Sequence, residues 1–274
     1  MNHFATCKTA LVVCAALGLL ACAPKAETEA ADAASDETAA PAPMDYAALA
    51  AASVANPSRP DADAADDAMR KPVEVLTFMA LEPGMSVFEM EAGGGFYTEL
   101  YSSIVGDDGE VVMQNPQSFD NFLGDALEVR LADNRLANVR SSRTLFDNLD
   151  AADGSMDIVT WILGPHELYF TPAGGDGFGD VEASYGEAMR ILKSGGTFII
   201  LDHAAAAGSP ETTGDTLHRI DPAIVKGLAQ AAGFVLIDES DILANPDDMY
   251  DMGVFDPAVR RKTDRFLLKY QKPQ

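Results

Sequence analysis

Between residues 85 and 106 the chain reads Met-Ser-Val-Phe-Glu-Met-Glu-Ala-Gly-Gly-Gly-Phe-Tyr-Thr-Glu-Leu-Tyr-Ser-Ser-Ile-Val-Gly. Val87, Phe88 and Met90 form a short apolar run of the kind a buried strand shows. Gly93, Gly94 and Gly95 remove every Cβ from the turn that follows, so the backbone is free to take unusual dihedrals and a ligand can come close. Phe96, Leu100, Ile104 and Val105 then recur at helical spacing, and Gly106 is a natural stop. Strand, glycine turn and helix in this order open a doubly wound α/β domain, whose first helix N-terminus faces polar or anionic ligands. Glu89, at the carboxyl end of the strand, is placed beside that crevice.

The rest of the chain continues the alternation. Apolar strand runs are predicted at 110–113, 138–140, 157–163, 197–201, 234–237 and 266–270. Helical patterns lie between them. One is ended by Glu82-Pro83-Gly84, one is capped by Ser118, one by Asp180, and one by Asp221 with Pro222 at its first position. The expected fold is α/β: a doubly wound, mostly parallel seven-stranded sheet with helices on both faces and the last strand antiparallel.

Glu89 followed by the glycine turn resembles motif I of the class I S-adenosylmethionine-dependent methyltransferases, an acidic residue before Gly-x-Gly-x-Gly. Gly93 and Gly95 match the second and third glycines, and Glu91 stands in the place of the first. Leu192-Lys193-Ser194-Gly195-Gly196 is similar to the turn before the family's fifth strand, with Ser194 in place of proline. More narrowly, the chain resembles methyltransferase-like proteins of bacterial envelopes that carry a signal peptide, an Arg-Lys-Pro helix, an Ala-Gly-Gly-Gly turn and a His-Arg-Ile-Asp segment. The resemblance implies a Rossmann-like fold and S-adenosyl-L-methionine as cofactor. It assigns cofactor contacts to Glu89, Glu91, Gly93, Gly94 and Gly95. Gln114 and Asn115 stand where the family carries the carboxylate that grips the ribose, and Asp147 lies where the family contacts adenine. Residues just past the fourth strand face the transferred methyl group in the family, which makes His166 and Glu167 the catalytic candidates, with His203 beside them. A catalytically silent binding or scaffold protein on the same fold is the competing reading.

His166, His203 and His218 all fall after strands or in the loop on the crevice side, next to Glu167, Asp202 and Asp221. Such a set could hold Zn²⁺ and activate water, giving a metal-dependent hydrolase on a borrowed fold. No short-spaced histidine pair is present, and Asp221 is explained as a helix cap. The expectation is therefore no metal. His166 and His203 are expected as proton acceptor and substrate hydrogen-bonder.

The N-terminus reads as a targeting segment. Lys8 precedes an apolar run over 10–21 that is too short to span a membrane and matches a secretory h-region. Leu19-Leu20-Ala21-Cys22 resembles the lipobox of bacterial lipoproteins, which implies cleavage before Cys22 and its lipidation. Cys7, Cys14 and Cys22 are the three cysteines, so the processed domain has no thiol pair. The expected organisation is a signal peptide at 1–22, a disordered Ala/Glu/Pro-rich tether at 23–56 and the α/β domain at 57–274. The expected location is the cell envelope, anchored by lipid in the outer membrane and facing the periplasm. A formal net charge of −24 argues against nucleic acid or an anionic membrane surface as partner; a small-molecule or envelope substrate is expected. The polar stretch 56–71 reads either as a self-paired helix or as a lid in which Arg59 or Arg70 meets a carboxylate.

Overall fold

In the computed structural model, residues 43–173 and 175–274 are described. Seven strands form one sheet: β1 Ser86–Met90, β2 Glu110–Gln114, β3 Val139–Ser142, β4 Met156–Ile162, β5 Leu192–His203, β6 Val235–Ser240 and β7 Arg265–Gln271. Their spatial order is β3-β2-β1-β4-β5-β7-β6. β1 pairs in parallel with β2 and β4, bringing Phe88 opposite both Val112 and Val159. β7 is antiparallel to both of its neighbours, with Phe198 opposite Tyr270 on one side. The expected sheet, with Val87–Met90 at its centre and the last strand reversed, is the observed one.

The central strands of the sheet are buried on both faces, as parallel strands require, whereas the edge strand β6 is exposed. Side chains alternate: Phe88, Val112, Val159, Phe198 and Ile200 enter one apolar cluster, Val87, Val111, Ile158, Ile199 and Leu201 the other. The first face is covered by the Val181–Ile191 and Pro222–Ala231 helices, through Tyr185, Ala188, Ile191, Val225 and Ala229. The second is covered by the Pro72–Met79 and Phe96–Val105 helices, through Val75, Leu76, Met79, Leu100 and Ile104. The Asp180 and Asp221 side chains accept from the backbone N–H of Ala183 and Ala223, as the capping pattern predicts.

Three expectations need correction. The folded unit begins at Met44, not at 57. The Tyr46–Val54 helix belongs to it because Ala50 is buried and the Ser53 hydroxyl donates to the Leu100 carbonyl at 2.9 Å. The single helix expected after Ser118 is three short pieces, Gln117–Phe119, Asp120–Leu123 and Ala126–Leu131. Gly124 breaks it at φ 55°, ψ −125°, and Ser118 lies inside the first turn rather than capping it. The fifth strand begins earlier than expected, with Leu192 opposite Met156, and the expected turn residues 193–196 bulge out before the pairing resumes at Thr197 opposite Ile158. The leader, its Cys22 and most of the tether lie outside the described residues. Among the described residues no helix is long and apolar enough to cross a membrane.

Candidate functional site

β1 and β4 are neighbours whose chain connections leave in opposite directions, the place where a doubly wound sheet opens a crevice at its strand carboxyl ends. β1 ends at Met90 and the backbone turns sharply, with Glu91, Gly93 and Gly95 at φ 53°, 55° and 82°. Ala92 donates to the Gln114 carbonyl at 2.8 Å. The Gln114 side chain accepts from the Glu91 N–H at 2.9 Å and donates to the Thr144 carbonyl at 2.6 Å. The Asn115 side chain accepts from the Gly93 N–H at 2.9 Å and donates to the Gly93 carbonyl at 3.1 Å. Both amides are fully buried; Asn115 spends both polar atoms on the turn, and Gln114 spends its oxygen there and its nitrogen on Thr144. They hold the glycines rather than offering themselves to a ribose.

Above the turn lies a cavity of about 660 Å³. Glu89, Glu91, Gly93, Gly94, His166, Glu167 and His203 all line it, as does His218. Gly95, Gln114, Asn115 and Asp147 do not. Gly95 is pressed against the core, since a Cβ there would come within 2.8 Å of Met113 Cε. Asp147 accepts from the Asp180 N–H at 2.8 Å and clamps a loop. Gly93 and Gly94 face open space instead, with at most Ala126 Cβ, at 3.8 Å, near the added atom.

Glu91 does not project freely into the cavity. Its Oε2 accepts from the indole N–H of Trp161 at 3.1 Å. Gly164 permits this, because a Cβ there would overlap both Glu91 Oε2 and Trp161 Nε1. Burial, then the neighbouring Glu167 charge, pushes the Glu91 carboxyl well above the usual carboxylate range. Burial likewise raises Glu89 to about 8, against the pull of its hydrogen bond from Thr98.

The three histidines meet at the carboxyl ends of β4 and β5, with the His166 ring 6.0 Å from that of His203 and 5.5 Å from that of His218. His166 Nδ1 lies 2.7 Å from Asp202 Oδ1, and Nε2 lies 3.3 Å from Glu167 Oε1. His218 Nδ1 lies 3.2 Å from the same Glu167 oxygen. Burial works against charging His166, but the Asp202 and Glu167 carboxylates outweigh it and raise its pKa to about 10. Burial opposes charging Glu167 too, yet the two imidazoles bring it down to about 2. His203 goes the other way: burial, reinforced by the His166 charge, drops it well below the ordinary histidine value. His203 Nδ1 is 2.7 Å from the Thr263 hydroxyl. His203 is thus held neutral, while His166 holds its proton.

The 56–71 stretch, expected as a self-paired helix or a lid, is self-paired, and part of it lines the cavity. Arg59 pairs with Asp67 at 2.8 Å and Arg70 with Asp66 at 3.5 Å, while Ala62, Asp63, Asp66 and Arg70 line the cavity. What fastens it is Arg130, which the sequence reading missed. Arg130 bridges Asp63 at 2.8 Å, Glu99 at 3.0 Å and the Gly94 carbonyl at 2.9 Å. Phe170 and Phe255 also escaped notice; their rings flank His218 at 4.7 and 5.0 Å. The His218-Arg219-Ile220-Asp221 segment explains their position. His218 enters the site, while Arg219, fully buried, binds Asp248 at 2.8 Å and the Met252 carbonyl at 2.9 Å. That fixes the loop carrying Val254 and Phe255. Ile220 is core and Asp221 caps the next helix.

No protein-family model matches the chain. A ubiquinone/menaquinone biosynthesis C-methyltransferase, UbiE, of Shewanella halifaxensis is 27% identical over 120 residues, 44% of this chain and 43% of the relative. The UbiE of Shewanella woodyi is 28% identical over the same shares. The chain thus spans less than half the length of these curated relatives. Among solved structures, an S-adenosylmethionine-dependent methyltransferase from Aquifex aeolicus superposes with a TM-score of 0.53 at 16% identity, over 76% of this chain and 98% of that one. The chain has the Rossmann-like fold of that methyltransferase.

Proposed function

We propose that this chain is an S-adenosylmethionine-dependent methyltransferase acting on a small molecule or a cell-envelope component. The observation that carries the reading is the cavity itself, which opens over Gly93 and Gly94 at the sheet's switch point and continues to the histidines past β4 and β5. The glycines leave room that side chains would fill, which fits a cofactor laid across the turn. Glu89, Gly93 and Gly94 would hold it. When bound, the cofactor supplies an electrophilic methyl group on a sulfonium. His203, neutral and lining the cavity, would take the acceptor's proton, and His166 with Glu167 would position the acceptor.

Glu91 at the first motif position and the fully engaged Gln114 favour a second reading, a silent binding protein on this fold. Calorimetry with S-adenosylmethionine and S-adenosylhomocysteine separates the two. Saturable heat with either ligand, lost in Gly94→Leu, supports the enzyme. No heat with either favours the silent protein.

We further propose export and lipidation at Cys22, supported by the Leu-Leu-Ala-Cys sequence after the apolar run. Cys22→Ser should leave unprocessed precursor or soluble protein. Wild-type processing and membrane fractionation of that variant would sink the proposal.

A further inference from the structure

Three carboxyl groups converge on the histidine side of the cavity: the buried Glu167 and Asp202 and the half-buried Glu91. Among the described residues none of the three is paired with a lysine or arginine. Their partners are the Trp161 indole, the imidazoles of His166 and His218, and two backbone N–H groups. The imidazoles are the partners that balance these carboxyl groups, and a bound metal ion would take the place of the proton that His166 otherwise holds.

The donor atoms are arranged as ligands. His166, Glu167 and His218 each offer one atom within 4.8 Å of the others. Glu167 Oε1 lies 3.3 Å from His166 Nε2 and 3.2 Å from His218 Nδ1. An ion bonded at about 2.0–2.2 Å to two donors at a tetrahedral angle separates them by about 3.3–3.6 Å, close to these distances. The other oxygen of Glu167, Oε2, is buried without a hydrogen-bond partner. The support behind the ligands is also present. Asp202, fully buried, holds the far ring nitrogen of His166 at 2.7 Å and its backbone N–H at 2.9 Å. A carboxylate behind a histidine in this way fixes the ring and directs its second nitrogen at a metal. His218 is steadied between Phe170 and Phe255.

We infer that His166 Nε2, Glu167 and His218 Nδ1 bind a divalent transition-metal ion, of the zinc or iron type that two imidazoles and one carboxylate select. All three ligands line the cavity, so the ion keeps open positions facing it. Those positions suit an acceptor that presents an oxygen or sulfur donor. This reverses the expectation of no metal, which rested on the lack of a short-spaced histidine pair. The ligands come instead from two loops, 51 residues apart, that the fold brings together. The ion site does not depend on the methyltransferase reading; only the suggested role for the acceptor does.

The test is titration of the chelator-stripped, folded protein with zinc chloride by calorimetry, and with cobalt(II) followed by visible absorption. One equivalent of zinc, a cobalt spectrum with nitrogen–oxygen ligation and a raised melting temperature are expected. His218→Ala and Glu167→Gln should each weaken zinc by about tenfold or more, whereas His203→Ala should not. His218 is only partly buried, and a cooperative melting transition in each variant shows that it is folded. No stoichiometric zinc in the wild type, or equal binding in both ligand variants, would show a proton-bridged relay only and overturn the inference. Titration of the same stripped protein with S-adenosylhomocysteine keeps the two readings apart: cofactor without zinc ends the metal site alone, zinc without cofactor ends the methyltransferase alone.

Discussion

His166 and Asp202 are joined twice: Asp202 Oδ1 lies 2.7 Å from the ring Nδ1, and Oδ2 accepts the backbone N–H at 2.9 Å. Oδ1 also accepts the His203 N–H at 2.7 Å. One buried carboxylate at the end of β5 thus ties the loop after β4 to its neighbour and orients the site. Removing it leaves an uncompensated imidazole and two unpaired N–H groups in the interior. Asp202→Ala should cost about 3 kcal/mol of stability. Asp202→Asn, which keeps the shape and one acceptor, should cost less. Urea unfolding measures both; equal, negligible losses would show that the carboxylate carries no structural weight.

Gly164 exists so that Glu91 can reach Trp161. A Cβ at 164 overlaps the atoms on both sides of that hydrogen bond. Gly164→Ala should destabilise by about 1–3 kcal/mol, the cost of overpacking a filled interior. Replacing Glu91 with glycine in the same chain removes half of the clash. The double variant should therefore recover part of the loss, and the two changes should not add. Additive thermal shifts would disprove the contact.

The architecture was legible because it rests on pattern. Val87, Phe88 and Met90 read as a buried strand from their apolarity alone, and Asp221-Pro222 read as a helix start from capping chemistry. The histidines could be placed at the crevice from their positions after predicted strands. What could not be read was where polar side chains turn. Gln114 and Asn115 stand at the ribose position in sequence, yet their amides fold back onto the glycine turn. Glu91 bends to an indole 70 residues away. Arg130 looks like any arginine on a short helix, because its partners Asp63 and Glu99 are 67 and 31 residues distant. The boundary at 57 leaves the Tyr46–Val54 helix outside the domain, because its alanine-rich composition marks neither burial nor exposure. Gly124 was the one available signal for the broken helix.

Glu89 should make stability depend on pH in a direction unusual for a carboxylate. Its folded pKa is about 8, against an ordinary 4.5. Below the ordinary value both states are protonated and the fold bears no cost. Between the two values the folded state holds a proton that the unfolded state has released, so stability falls as pH rises and is fully reduced above about 8. The Glu89→Gln variant cannot titrate there and should flatten that part of the profile. Urea midpoints at pH 5 and pH 9 test this, with the wild type losing more than the variant on going to pH 9. Parallel losses in both chains would rule out a buried, protonated Glu89.

Arg130 fastens the 56–71 stretch, the expected lid. Its guanidinium holds Asp63 with two nitrogens, at 2.8 and 3.0 Å, while reaching Glu99 and the Gly94 carbonyl. Glu99 keeps Arg135 at 2.6 Å if Arg130 is lost, but no other hydrogen bond or ion pair to the Asp63 side chain is found among the described residues. The loss should therefore fall on the lid rather than on the helix behind the glycine turn. Arg130→Ala should cost about 2 kcal/mol of stability, the range for a partly buried pair deprived of one member. It should also open the 56–71 stretch to protease before the rest of the domain unfolds. Arg130→Lys keeps the charge but not the two-nitrogen grip and should fall between. Because the lid lines the cavity over Gly94, S-adenosylhomocysteine should bind at least about tenfold more weakly to the alanine variant. A wild-type cleavage pattern together with unchanged affinity would show that Arg130 is only a surface pair and that the lid is held by other contacts.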